Sequence, residues 1–318
     1  GIFRVKVPVP LPLKYVNCYL LYGANGWTIV DTGMHYDPAE ACWLAAFDQL
    51  GIGWRDIATI VVTHYHPDHF GSAGWMQQQS GAPVLMSPIE IDCVQRLWMR
   101  PQNEIGAATL AMFCQHGMPQ ADADAIWRHI VEQGDLVAPL PETLTPIDMN
   151  QLLKLGERTW QPIHAPGHAD GQVCLYDQAD RLLLVADHVL PTITPNVSVW
   201  PESRPDPLSD YLDSLPTIAE LDVRLALPGH RSMITNFRDR CDEIIAHHHE
   251  RLDAMQRLAG DGATAYEICL GSFALDQLTP HQIRFAMAET LAHMVYLEKL
   301  ERVQRHERAG QIVFVDLT

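Results

Sequence analysis

A chain of 318 residues that is 47% hydrophobic and 19% charged has a globular composition, which excludes disordered and fibrous classes. It is long enough for one large domain and a smaller one. Against 39 Asp and Glu stand 22 Lys and Arg, and the formal charge of −17 argues against broad binding to nucleic acid or anionic membranes. No run approaches the roughly eighteen apolar residues that a membrane span requires. The seven cysteines (Cys18, Cys42, Cys93, Cys114, Cys174, Cys241, Cys269) are scattered and odd in number, without a CxxC pair. That usage points to buried free thiols in a reducing compartment, and the expected location is cytoplasmic.

Along the chain, Tyr15 to Tyr22 and Gly26 to Gly33 read as two strands of a hairpin turned at Gly23-Ala24-Asn25-Gly26. Asp37 is placed as the cap of a helix that has Pro38 at its first position and Gly51 just past its end. The run IATIVV (Ile57 to Val62) is a strand, followed by a short helix over Ser72 to Gly81 and a strand in APVLMSP. From about residue 89 to 150 the strand signal disappears, and this stretch reads as a helical insertion. Strands return in RTWQPIHAPGH, GQVCLYD and RLLLVADH, then in VRLALPGH after a helix near 210–220. Asn236 opens a long helix, and GDGAT (Gly260 to Thr264) breaks it. Thr279-Pro280-His281-Gln282 has capping-box form, and the helix behind it aligns Ile283, Met287, Leu291 and Met294. A hairpin turned at Ala309-Gly310 closes the sequence, giving the order of a small winged-helix-like module over 236–318.

Ligand-type side chains collect where the apolar runs end. THYHPDH (Thr63 to His69) places His64 and His66 two apart, so that on an extended strand end both can face one ion. Pro67 bends the chain and lets Asp68 and His69 face back. His168 in HAPGHADG, Asp187 at the end of LLLVADH and His230 at the end of LALPGH occupy matching positions after predicted strands, where α/β folds gather their ligands. Five imidazoles and two carboxylates suit a dinuclear site with one bridging carboxylate, holding Zn²⁺ or, alternatively, Fe or Mn. Asp31, near a strand end, is placed as an acceptor that orients a ligand imidazole, or else as a turn cap before Gly33. His164 is assigned a structural or similar supporting role and not that of a ligand, and His188, beside Asp187, that of a substrate contact or proton donor. His247-His248-His249 lies within a helix, where successive side chains diverge by about 100° and cannot converge on one ion.

THYHPDH matches the HxHxDH motif of the metallo-β-lactamase-fold hydrolases, and His168, Asp187 and His230 match that superfamily's later ligand motifs in order. Asp31-Thr32-Gly33 is similar to its N-terminal signature. The resemblance covers residues 3 to 235 and implies a four-layer αββα sandwich over 1–235, with the insertion at 89–150. The module at 236–318 resembles the winged-helix-like tail of some branches, a weaker signal. Carried over, the motif gives His64, His66 and His168 to one metal and Asp68, His69 and His230 to the other. Asp187 bridges the two, and Asp68 also shuttles protons. Two cations sharing a water would yield hydroxide at neutral pH.

The expected function is therefore a dinuclear metal-dependent hydrolase for a small-molecule thioester, lactone or related carboxylic ester with an apolar acyl part. General similarity to the glyoxalase II and lactonase branches and the apolar insertion favour it. The alternative is a phosphodiesterase or endoribonuclease on the same metals, suggested by the C-terminal module. Arg302, Arg305 and Arg308 in the closing hairpin are interleaved with Glu301 and Glu307, which weakens that alternative. Homodimerisation through the insertion or the C-terminal module is left open.

Overall fold

The strand Tyr15–Leu21 is apolar on both faces. Val16, Cys18 and Leu20 enter one hydrophobic cluster, while Tyr19 and Leu21 enter another. Such a strand must lie inside a sandwich. The computed structural model describes residues 1–318 apart from 129, 130, 132–135 and 276.

The first sheet has the order β1 (Ile2–Pro8), β2 (Tyr15–Leu21), β3 (Trp27–Val30), β4 (Ile57–Val61), β5 (Val84–Met86) and β6 (Leu144–Pro146). Between its strands run α1 (Asp37–Leu50), α2 (Pro67–Phe70), α3 (Ala73–Ser80), α4 (Pro88–Leu97), α5 (Gln102–Gln115) and α6 (Gln120–Gly134). The pairs from β3 to β6 are parallel, so their carboxyl ends share one edge. The second sheet contains β7 (Leu153–Leu155), β8 (Arg158–His164), β9 (Val173–Asp177), β10 (Leu182–Ala186) and β11 (Leu225–Pro228), ordered β11-β10-β9-β8-β7. β10 and β11 are parallel, joined through α7 (Pro207–Ala219).

Between the sheets Tyr19, Val30 and Val61 pack with Trp160, Leu175 and Leu184. Outside the first sheet lie Trp43 and Phe47 of α1, and outside the second Leu215 of α7 with the C-terminal helices. The result is helix, sheet, sheet, helix, the expected four-layer arrangement. The last part consists of α8 (Phe237–Ala259), β12 (Ala263–Thr264), α9 (Ala265–Ser272), α10 (Pro280–Lys299), β13 (Val303–Arg308) and β14 (Gln311–Asp316). Its three strands form a small sheet ordered β12-β14-β13.

Local differences have local causes. The 89–150 stretch is not purely helical, because β6 adds a parallel strand beside β5. Three residues, the last of them Pro146, are too short to show a period of two. β1 and β7 were also not read from sequence. Asp37 is the first helical residue and not the cap; Tyr36 holds that position without a side-chain hydrogen bond. The capping box at Thr279 and Gln282 is present, and Met287, Leu291 and Met294 are buried. All seven cysteines are free, and among the described residues no helix is long and apolar enough to cross a membrane.

The histidine triplet divides by face: His249 is exposed, and His248 is buried against His293 of α10. His293 Nδ1 donates to Glu289 O at 2.7 Å, and its Nε2 accepts from His248 Nδ1 at 3.1 Å. Burial, reinforced by neighbouring imidazoles and by Arg251, lowers His248 to about 2 and His293 to about 3 from an ordinary 6.5. Both are therefore neutral in the folded chain at pH 5, whereas the unfolded chain takes up protons there. Their full contribution to stability is present above pH 6.5 and is lost as pH falls toward 3. Each imidazole should steepen the decline by up to about 1.4 kcal/mol per pH unit. Urea unfolding between pH 7 and pH 5 should show this slope, and a His248→Leu/His293→Leu chain should show a shallower one.

Candidate metal centre

β4 carries the chain to Thr63 at the sheet edge, and the next six residues hold four of the ligand-type side chains. His66 stands at the N-terminus of α2 with Pro67 directly behind it, so one helical turn brings Asp68 and His69 round. His69 N–H donates to His66 O at 2.9 Å and closes the turn. The loop after β8 delivers His168, the end of β10 Asp187, and the end of β11 His230.

All seven converge. His64, His66 and His168 form one group, Asp68, His69 and His230 a second, and His64, His69 and Asp187 a third, with donor atoms in each within 4.8 Å of one another. His66 Nδ1 is 3.0 Å from His168 Nε2, and His230 Nε2 is 3.1 Å from Asp68 Oδ2. Asp187 lies among the groups: its Oδ1 is 3.5 Å from His69 Nε2, and its Oδ2 is 3.3 Å from His230 Nε2 and 3.7 Å from His168 Nε2.

Four imidazoles have the outer nitrogen, Nδ1, engaged. His69 donates to Asp31 Oδ2 at 2.9 Å, His168 to Asn196 O at 2.8 Å and His230 to Tyr15 O at 3.1 Å. His64 Nδ1 faces the Thr63 hydroxyl at 3.0 Å, which itself donates to Asp31. This fixes the tautomer that leaves each Nε2 lone pair pointing inward. Asp31 thus sits where an orienting acceptor was expected, its backbone at φ 59° and its Oδ1 also receiving Thr63 N–H at 2.8 Å.

Nε2 of His64, His69 and His230 and Oδ1 of Asp187 are buried without a hydrogen-bond partner. Buried polar atoms left in this way and converging on one point fit a cation. Burial should raise carboxylates and lower imidazoles. Instead Asp68 and Asp187 are held below their ordinary range by His69 and His230, and His69 is raised, chiefly by Asp187 and Asp31. His230, opposed by burial but drawn up by Asp187 and Asp68, reaches about 10. The carboxylates thus demand positive charge, as protons or as metal. His230 Nε2 faces Asp68 at 3.1 Å without hydrogen-bond geometry, which favours metal. The nitrogen and oxygen donors fit divalent cations.

Two expected roles are corrected. His188 is fully buried behind the site, its Nε2 3.2 Å from Ser214 Oγ and its ring edge-on to Tyr211. Burial lowers it to about 3, so it neither meets substrate nor carries a proton at neutral pH. His164 ends β8 on its exposed side, where Nε2 meets Asp170 O at 3.0 Å, a structural contact that orients no ligand imidazole.

Other supports were invisible in the sequence because their partners are distant backbone atoms. Glu90 receives Tyr65 N–H at 2.6 Å and Gly171 N–H at 2.7 Å, and so ties the His64–His69 loop to the His168 loop. Asn17 Nδ2 bonds Pro228 O and Arg231 O, both at 3.0 Å, and brackets His230. Gly229 makes room for the centre: a Cβ there would lie 2.2 Å from Asp187 Oδ1 and 2.7 Å from His69 Cε1.

Above the centre opens a cleft of about 590 Å³ floored by Asp68, His168, Asp187 and His230. Leu13, Leu97, Ile105, Trp200 and Phe285 contribute apolar walls, and Arg231 stands at the exposed mouth.

Residues 11–230 match the family model described as the metallo-beta-lactamase superfamily, and residues 252–317 match that of the metallo-beta-lactamase-like C-terminal domain. A probable metallo-hydrolase of Bacillus subtilis, YqjP, is 23% identical over 98% of this chain and 97% of its own length. The metallo-beta-lactamase family protein TTHA1429 of Thermus thermophilus superposes with a TM-score of 0.88 at 32% identity, covering 99% of this chain and 98% of that one. A beta-lactamase domain protein from Burkholderia ambifaria gives 0.87 at 30% identity, covering 99% and 92%. The seven converging donors and these relatives identify the chain as a member of the metallo-beta-lactamase superfamily, a metal-dependent hydrolase.

Proposed function

We propose that the chain hydrolyses a thioester, lactone or related carboxylic ester with an apolar acyl part, using two divalent cations, most simply Zn²⁺, in a reducing cytoplasmic setting. The observation that carries the reading is the cleft: it leads from the seven donors between apolar walls supplied by α4–α5, Trp200 and α10. The phosphodiester alternative would have to draw on Arg231 at the cleft mouth, because the closing hairpin's arginines that suggested it are engaged within the module. Arg302 pairs with Asp253 at 2.6 Å, Arg305 with Glu298, and Arg308 donates to Gly262 O at 2.7 Å.

In this reading His64, His66 and His168 hold one ion, Asp68, His69 and His230 the other, and Asp187 lies between them. The bound cations would lower the pKa of a water and polarise the scissile carbonyl. Asp68, at the cleft floor, takes the proton of the attacking water and returns it to the leaving group. Asp31, Thr63, Asn196 and Tyr15 O keep the imidazoles aimed. The apolar walls seat the acyl chain and exclude bulk water, which strengthens every charge interaction beneath.

Elemental analysis of the purified chain should find close to two ions per molecule, and Asp187→Ala should lose metal and turnover together. Full turnover without Asp187 would reject its assignment. Gly229→Ala should displace the Asp187 carboxylate and lower metal affinity by at least about tenfold while the chain still unfolds cooperatively. Chelator competition measures this, and an unchanged affinity would contradict the packing described. On substrate, kcat/KM should be far higher for acyl-thioesters or lactones than for a bis-aryl phosphodiester; the reverse order selects the phosphodiesterase alternative.

A further inference from the structure

Residues 188–206, between β10 and α7, form no helix or strand, so their backbone groups need partners from elsewhere. Those partners come largely from the C-terminal helices. Arg240 of α8 donates to Leu190 O at 2.7 Å and to Ile193 O at 2.9 Å. Val199 N–H donates to Ala288 O of α10 at 3.2 Å. Asn196 lies at the centre of this seam. Its Nδ2 donates to Glu289 Oε2 at 3.0 Å and reaches Phe285 O at 3.4 Å, and its Oδ1 accepts from the Ser198 hydroxyl. Its main-chain oxygen is the acceptor of His168 Nδ1. Glu289, with its side chain only 12% exposed, lies 3.5 Å from Arg251 Nη1 of α8.

We infer that Glu289, braced by Arg251, is a positioning residue for the metal centre and aims the His168 imidazole through Asn196. The inference rests on the reading above that His168 holds an ion. A carbonyl acceptor is only as well placed as its peptide plane, and the plane at Asn196 is set by the hold on the Asn196 side chain. A carboxylate gives that hold a charge-assisted bond, and the Arg251 pairing keeps the carboxylate in place. The groups behind a ligating imidazole govern its orientation and basicity. His64, His69 and His230 lean on Thr63, Asp31 and Tyr15, which belong to the sandwich itself. Only His168 of these four leans on a residue held by α10. The two ions are therefore unequal: the one held by His64, His66 and His168 depends on the C-terminal helices, and the other does not.

The test is a titration of the full-length chain, stripped of metal, with Co²⁺ against a competing chelator, following both affinity and the visible absorption of bound cobalt. Glu289→Ala should weaken one of two ions about tenfold or more and alter its spectrum, leaving the second constant unchanged. Glu289→Gln keeps an oxygen for Asn196 Nδ2 and should recover much of the loss. Asp253→Ala, which removes a different α8 ion pair, should titrate like the unsubstituted chain. If Glu289→Ala does not unfold cooperatively, Asn196→Ala decides, with the same single-ion weakening expected. Two ions bound as in the unsubstituted chain, with the same spectrum, would overturn the inference. An unsubstituted chain that binds no cobalt would overturn the metal reading itself, and that failure shows before any variant is made.

Discussion

Burying five imidazoles and two carboxylates in one place is tolerable only if every outward-facing nitrogen and oxygen has a partner. Unpaired, such groups would each cost kilocalories on leaving water. The structure meets this demand with acceptors placed behind the imidazoles: a carboxylate for His69, a hydroxyl for His64, and main-chain oxygens for His168 and His230. Much of the architecture is read most simply from that requirement. β2 approaches the end of β11 because Asn17 and Tyr19 bind the loop around His230. α4 starts where it does because Glu90 must reach two loops at once.

How much of this was legible from sequence depended on the range of the physics. Apolar runs ending in ligand residues are local patterns, so the donors and most strands could be read directly. The four-layer fold came with the motif resemblance. Asp31 could be placed because its role needed only proximity to a strand end. Glu90 and Asn17 could not, since each binds backbone atoms far away in sequence and any polar residue in a helix or strand reads alike. His188 misled for the opposite reason: adjacency to Asp187 in the chain suggested adjacency in the site, but successive residues past a strand end point in opposite directions. His164 failed similarly, four residues before His168 yet at the exposed end of β8. β6 was missed because three residues carry no period.

The C-terminal module changes character once its contacts are known. Read by element order it invited comparison with nucleic-acid binders. In three dimensions its helices wall the cleft and support an irregular loop beside the metal centre, while the arginines of its closing hairpin pair with the module's own carboxylates and carbonyls. A motif order states only that helices and a hairpin follow one another. What faces outward decides the rest.

The spread of the donors along the chain bears on the order of assembly. During synthesis His64 to His69 emerge about a hundred residues before His168, and His230 follows some sixty later still. The support for His168 comes from α8 and α10, which follow all seven donors in the chain. A half-made chain therefore holds only part of the donor set. The full set of seven donors comes together only when both sheets have closed. Metal binding is in this way coupled to the folding of both sheets, and a chain cut before α10 would lack the support behind His168.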